Sequence, residues 1–120
     1  MRTGRLVPPT AFREPIVRAR LLAVLRGRFE RRITAVVAGP GFGKTTLLAQ
    51  AIAENRLDPA GEDRWLGCDP ADSVAAVLGA GLCAALEVPP AAGDDPESVT
   101  RAVTVAIAKR APLPIALVLD

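Results

Sequence analysis

Residues 38 to 46 read Ala38-Gly39-Pro40-Gly41-Phe42-Gly43-Lys44-Thr45-Thr46, and this stretch decides the fold. Its spacing is that of a phosphate loop, with Ala38 at the position where the stricter pattern has Gly. Gly39, Gly41 and Gly43 allow backbone conformations closed to other residues, so successive N–H groups can converge on one anion. A helix starting directly after the loop points its positive dipole end at the same anion. Lys44 is then expected to reach the β- and γ-phosphates of a nucleoside triphosphate. The Thr45 hydroxyl is expected to ligate Mg²⁺, and Thr46 to contact the α-phosphate. Phe42 is expected to pack on the domain or cover the phosphates. The ligand read from this loop is ATP with Mg²⁺.

The flanks suit that reading. Ile33 to Ala38 is a short β-branched, apolar run between Arg31-Arg32 and the glycines, as expected of a strand buried on both faces. After the loop, Thr45 to Glu54 combines helix formers with apolar Leu47, Leu48, Ala51 and Ile52, ending near Asn55. A polar loop over 56–62 leads to a second strand at Arg64 to Cys68. Ser73 to Leu86 then reads as a helix with Val74, Val77, Leu78, Leu82 and Leu86 on one stripe, and close packing would account for Gly79 and Gly81. Pro96 opens a further helix carrying Val99, Val103, Ala106 and Ile107 on one face. Ile115 to Leu119 is a third apolar strand, closed by Asp120. Strands separated by helices imply crossover connections, hence an α/β fold with a parallel sheet flanked by helices.

Asp120 follows the loop by some seventy-five residues. An apolar strand ending in a carboxylate at that distance matches a Walker B Asp, which holds Mg²⁺ through water. Lys44 and Asp120 are therefore the candidate catalytic residues, and Thr45 and Asp120 the candidate metal ligands.

Upstream of the loop, 1–15 carries Pro8, Pro9 and Pro15 with few apolar positions and reads as an extended arm. The domain proper spans 16–120. Within it, Leu21, Leu22, Leu25 and Phe29 recur at helical spacing over 17–29, with Arg18, Arg20, Arg26 and Arg28 mostly off the stripe and Gly27 weakening the last turn. Residues 1–32 hold nine arginines against Glu14 and Glu30, while the rest of the chain is acidic on balance. Such a basic segment invites a nucleic-acid reading. Before the helix it has one aromatic, Phe12, and no reading motif is present, so arginines on a solvated helix face account for it more simply.

Composition narrows the chemistry. Half of the 120 residues are hydrophobic, 3% are aromatic, and there is no His or Tyr. The commonest general base is absent, which excludes histidine-dependent hydrolases. Cys68 and Cys83 stand alone, with neither a disulfide framework nor a zinc pattern around them, and both are expected to be buried, reduced thiols of a cytoplasmic protein. No apolar run approaches the ~20 residues that would cross a membrane.

Four stretches carry a family resemblance. They are Leu6-Val7-Pro8-Pro9 with Val17-Arg18-Ala19-Arg20-Leu21-Leu22; Gly41-Phe42-Gly43-Lys44-Thr45-Thr46-Leu47-Leu48-Ala49-Gln50; Trp65 with Asp69; and Ala116-Leu117-Val118-Leu119-Asp120. In them the chain resembles the N-terminal end of the ATPase module of the large ATP-binding LuxR-type transcriptional regulators, the maltose-regulon-activator group of the signal-transduction (STAND) P-loop ATPases. Three positions depart from that group's pattern: Gly39 precedes Pro40, Ala51 stands where Trp commonly follows the Gln, and Cys68 replaces a Leu before the Asp.

The resemblance implies a nucleotide switch, inactive with ADP and activated by ATP exchange, that forms homo-oligomers and at most hydrolyses ATP slowly in the full-length protein. DNA would be bound only through a C-terminal domain absent from these residues. The resemblance also places Arg18 near the adenine. It further implies that the sheet is truncated after the Walker B strand. The strand that would lie between Ile33–Val37 and Ile115–Leu119 falls after Asp120, leaving both edges unpaired, so these 120 residues are expected to bind nucleotide weakly and turn over none. The competing readings are a small P-loop kinase or other phosphotransferase, a GTPase, and a non-hydrolysing interaction module. A kinase would normally carry its loop nearer the chain's start and an arginine-rich lid after it.

Overall fold

The computed structural model describes residues 3–8, 18–39, 41 and 43–120. Phe42, Pro40, Val17 and most of the proline-containing arm lie outside the described residues. The chain is a mixed α/β structure. A 3₁₀ turn at Thr3–Leu6 precedes α1 (Ala19–Arg26), a second 3₁₀ turn (Gly27–Glu30), α2 (Lys44–Leu57), β1 (Glu62–Leu66), a third 3₁₀ turn (Pro70–Ser73), α3 (Ala75–Ala85), α4 (Pro96–Ala108) and β2 (Ile115–Leu119). β1 and β2 form a parallel sheet in the register Glu62↔Ile115 through Leu66↔Leu119.

The first expected strand is corrected. Residues 33–39 adopt no regular structure and join no ladder among the described residues. They are not buried on both faces either: Val36 packs against Leu22, Leu25, Leu47 and Ala51, but Ile33 is 86% and Val37 89% exposed. A β-branched run supplies strand propensity only; a strand also needs a neighbour for its N–H and C=O groups. β2, for its part, pairs with β1 alone among the described residues.

Gly27 ends α1 and tightens the chain into the following 3₁₀ turn, so the expected 17–29 helix is shorter. β1 begins two residues earlier than expected, at the charged pair Glu62-Asp63. Arg28 supplies the compensation for Asp63 by donating from Nε and Nη2 to its two carboxylate oxygens at 2.8 and 2.6 Å. Arg64 does so for Glu62.

The stripe expected on α3 is corrected in part. Leu86 is fully buried and Leu78 and Leu82 are half-buried, but Val74 is 56% exposed and Val77 sits at the surface, and the small Gly79, Gly81, Cys83 and Ala85 are buried instead. Small size sets the face: a Cβ on Gly79 would lie 2.6 Å from Val99 Cγ2 of α4. α4 begins at an Asp95 cap, whose carboxylate accepts the Ser98 N–H at 3.0 Å, with Pro96 in the first turn.

Two clusters of buried residues lie against α2, while Leu66, Cys83, Leu86 and Ala106 are buried outside them. Leu22, Leu25, Leu47 and Ala51 form one, and Ile52, Trp65 and Val118 the other, with Leu48 packed against both. α2 therefore runs between the two clusters and carries the glycine loop at its N-terminus.

Candidate functional site

The local sequence forces the loop's shape. Gly41 and Gly43 have φ of +81° and +78°, a region that costs an L-residue roughly 1–2 kcal/mol. At Gly41 an added Cβ would meet nothing, so backbone conformation alone demands glycine there. A Cβ at Gly43 would lie 3.0 Å from Nη2 at the flexible end of Arg18, which can give way, so there too the positive φ is what demands glycine. Gly43 is the N-cap of α2 in the left-handed conformation and offers no side-chain cap. The first-turn N–H groups of this 14-residue helix thus receive no side-chain cap. Lys44 reaches back across the loop and donates from Nζ to the Ala38 carbonyl at 2.9 Å. Gly39 is exposed at the loop's start, and Thr46 lies half-buried in the first turn of α2.

The far end of the chain meets this loop. The Thr45 hydroxyl lies 2.9 and 3.1 Å from the two Asp120 carboxylate oxygens across 75 positions of sequence. Both strands help to place Asp120. Its N–H donates to the Leu66 carbonyl at 3.0 Å, and its own carbonyl accepts the Cys68 N–H at 2.6 Å, extending the ladder one residue beyond β2. Lys44, Thr45, Gly43, Arg18 and Asp120 are thereby brought together.

A hydroxyl and a carboxylate at this separation fit Mg²⁺, which binds through one or two protein oxygens and takes its remaining ligands from phosphate and water. Among the described residues no group of three or more His, Cys, Asp or Glu could hold a metal, so the pair would act with a phosphate and not as an all-protein cage.

Beside the loop an apolar cleft of ≈ 370 Å³ opens between α1 and residues 34–38, with Leu21, Leu25 and Val36 in its wall and Arg18 and Lys44 at the polar end. Thr34 lines it too, and its buried hydroxyl has no hydrogen-bond partner among the described residues.

The arginines of the basic segment are engaged within the chain where their contacts are seen. Arg26 forks onto Glu54 at 2.6 and 2.8 Å, and Arg28 onto Asp63. One expectation fails nearby: Cys83 is buried, but Cys68 is exposed, because it lies two residues past the end of β1, at the chain's exit from the sheet. Desolvation, followed by the Asp72 carboxylate, still pushes the Cys68 thiol pKa upward.

Arg5 was missed by the sequence reading, which counted it only toward the basic charge. In the structure it is seated on the β1 exit: its Nε donates to the Gly67 carbonyl at 2.7 Å and its Nη2 to Asp72. Its position immediately before the Leu6-Val7-Pro8-Pro9 stretch was the one available signal.

The chain matches no protein-family model, no curated protein and no solved structure. No helix among the described residues is long and apolar enough to cross a membrane.

Proposed function

We propose that this chain binds Mg²⁺-ATP through a P-loop at 38–46, and that it is the nucleotide-binding part of a STAND-type switch ATPase of the LuxR-regulator kind. One observation carries the nucleotide reading: the Thr45 hydroxyl stands against the Asp120 carboxylate beside an uncapped helix N-terminus entered through two left-handed glycines. An isolated glycine turn has no reason to meet a strand-terminal carboxylate 75 positions away. The adjoining cleft, apolar in its walls with the Thr34 hydroxyl available, has the size and character to seat a planar base. The switch assignment rests on the resemblance of the flanking stretches.

In this reading the loop N–H groups hold the phosphates, and Lys44 leaves the Ala38 carbonyl to neutralise the β- and γ-oxygens. Arg18, against Gly43, adds positive charge on the base side of the loop. Thr45 and Asp120 would hold Mg²⁺, which would supply charge neutralisation for the phosphates.

Titration with a fluorescent ATP analogue tests this. Lys44→Ala is expected to weaken binding about ten- to a hundredfold, the worth of one charge-assisted hydrogen bond, without altering helical content. Thr45→Ala should weaken it in Mg²⁺ but not in EDTA. Equal affinity for Lys44→Ala and the parent would end the P-loop reading.

A further inference from the structure

The exit of β1 is held from both sides. On its inner edge Asp120 is bonded across Gly67, receiving the Cys68 N–H and giving its own N–H to Leu66. In a parallel ladder the residue between those two groups turns its own N–H and C=O the other way. Arg5 takes both groups of Gly67: the Gly67 N–H donates to the Arg5 carbonyl at 2.6 Å, and Arg5 Nε donates to the Gly67 carbonyl at 2.7 Å. The segment around Arg5 thus sits where a third strand would, in line with Asp120.

The rest of the guanidinium anchors the turn that leaves β1. Nη2 binds the Asp72 carboxylate, and Nη1 lies 3.6 Å from Asp69. Asp72 is 5% exposed in its side chain and also accepts the Asp69 N–H at 2.7 Å, closing a reciprocal cap on the Pro70–Ser73 turn. Its Oδ1 is buried with no partner among the described residues. Arg5 is therefore the cation that makes a buried carboxylate tolerable directly after the strand whose Cys68 amide holds Asp120.

We propose that Arg5 is a positioning residue for the Thr45–Asp120 pair, setting the Asp120 carboxylate through the Gly67–Cys68 backbone; this rests on the nucleotide reading above. The contacts of Arg5 are with Gly67, Asp69 and Asp72. Its contribution is to keep the Cys68 amide in line, so that the Asp120 backbone cannot shift and carry its carboxylate away from Thr45. Loss of this support should appear in the Mg²⁺-dependent part of nucleotide affinity and not in the part supplied by the loop.

The experiment uses the full chain and a fluorescent ATP analogue, titrated in Mg²⁺ and in EDTA. Arg5→Met combined with Asp72→Asn removes the fork without leaving a buried charge unpaired. Groups that orient a metal ligand from behind typically contribute ten- to a hundredfold in metal affinity, so the Mg²⁺ increment should fall by roughly that factor with EDTA affinity unchanged. Arg5→Lys, which restores the charge but not the planar fork, should fall between this variant and the parent. Amide exchange of Cys68 and Asp120 should quicken in the same order. Arg26→Ala, which removes an arginine remote from the sheet exit, should behave as the parent.

A folded double variant with the parental Mg²⁺ increment overturns the assignment. Should the double variant not melt cooperatively, Arg5→Lys decides, and a parental increment there overturns it equally. A parent with no Mg²⁺ increment while Lys44→Ala still weakens binding refutes the Thr45–Asp120 role and Arg5's with it. A parent that binds no nucleotide refutes the reading beneath both.

Discussion

Removing Asp63 should cost this fold more than removing any surface charge. Its carboxylate is 5% exposed and receives a two-pronged bond from Arg28, itself 10% exposed, together with the Asn55 amide at 3.1 Å. Asp63→Ala strands the guanidinium, which keeps the Leu25 carbonyl at 2.7 Å, the more distant Ala51 carbonyl at 3.4 Å and the Phe29 ring beneath it. Breaking a buried pair from one side costs about 3–5 kcal/mol, and the surviving carbonyls argue for the lower end, ~3 kcal/mol. Against a total of about 5–15 kcal/mol that is a large share. It corresponds to a melting temperature lower by roughly 10 °C for a domain of this size. Replacing both partners, as in Arg28→Met with Asp63→Leu, removes the stranded charge, so the double variant should lie within about 1 kcal/mol of the parent. Urea unfolding at constant slope measures all three. A loss below about 1 kcal/mol for Asp63→Ala, or a double variant that costs the sum of the singles, would refute the account of this pair as a buried, mutually dependent unit.

Three other outcomes are expected. Gly79→Ala should destabilise by about 1–3 kcal/mol, since its Cβ would fall 2.6 Å from Val99 and β-branched Val99 has little freedom to retreat; an unchanged urea midpoint would show that α3 and α4 are not packed at this point. Glu54, held low by the Arg26 hydrogen bond, Asp72, by the Asp69 N–H and then Arg5, and Asp95, by the Ser98 hydroxyl and then its N–H, all have depressed folded pKa values. Their stabilisation is complete above the ordinary carboxylate range near pH ~4 and is lost as the pH falls through the folded values, so urea midpoints should drop on acidification below that range and less so in Asp95→Asn. A midpoint that rises in acid would contradict this. Cys68 should be alkylated at neutral pH more slowly than a free thiol despite its exposure, and Cys83, 1% exposed, only after unfolding, as mass spectrometry of iodoacetamide-treated protein would show.

Short-range signals were legible in the sequence, and partnerships across the chain were not. β2 was found with its bounds because five apolar residues ending at Asp120 need no outside help to read as a buried strand. β1 was placed two residues late because Glu62 and Asp63 look like loop until Arg28, 35 positions earlier, is known to neutralise Asp63. Hydropathy put the buried face of α3 on Val74, Val77, Leu78, Leu82 and Leu86, which holds for Leu86 but not for the valines, whereas contact with α4 is set by the absence of a side chain at Gly79. The loop, Lys44, Thr45 and Asp120 were readable from spacing. Arg18 came from the resemblance, and the structure sets it against Gly43. Arg5 was invisible, since its partners lie 62 and 67 positions away.

α2 supplies buried residues to both hydrophobic clusters. The two hydrophobic clusters share no buried residue; Leu48 packs against both, and the Arg28–Asp63 pair ties the turn after α1 to β1. A chain organised in this way has a seam, along which one half can loosen while the other holds. The Thr45–Asp120 contact crosses that seam at the end of the helix where the loop begins. An ion held jointly by those two side chains would act as a rivet through both halves, and its departure would return to each half its independence. In that sense ligand occupancy would be recorded in how cooperatively the domain unfolds, even where no atom moves far.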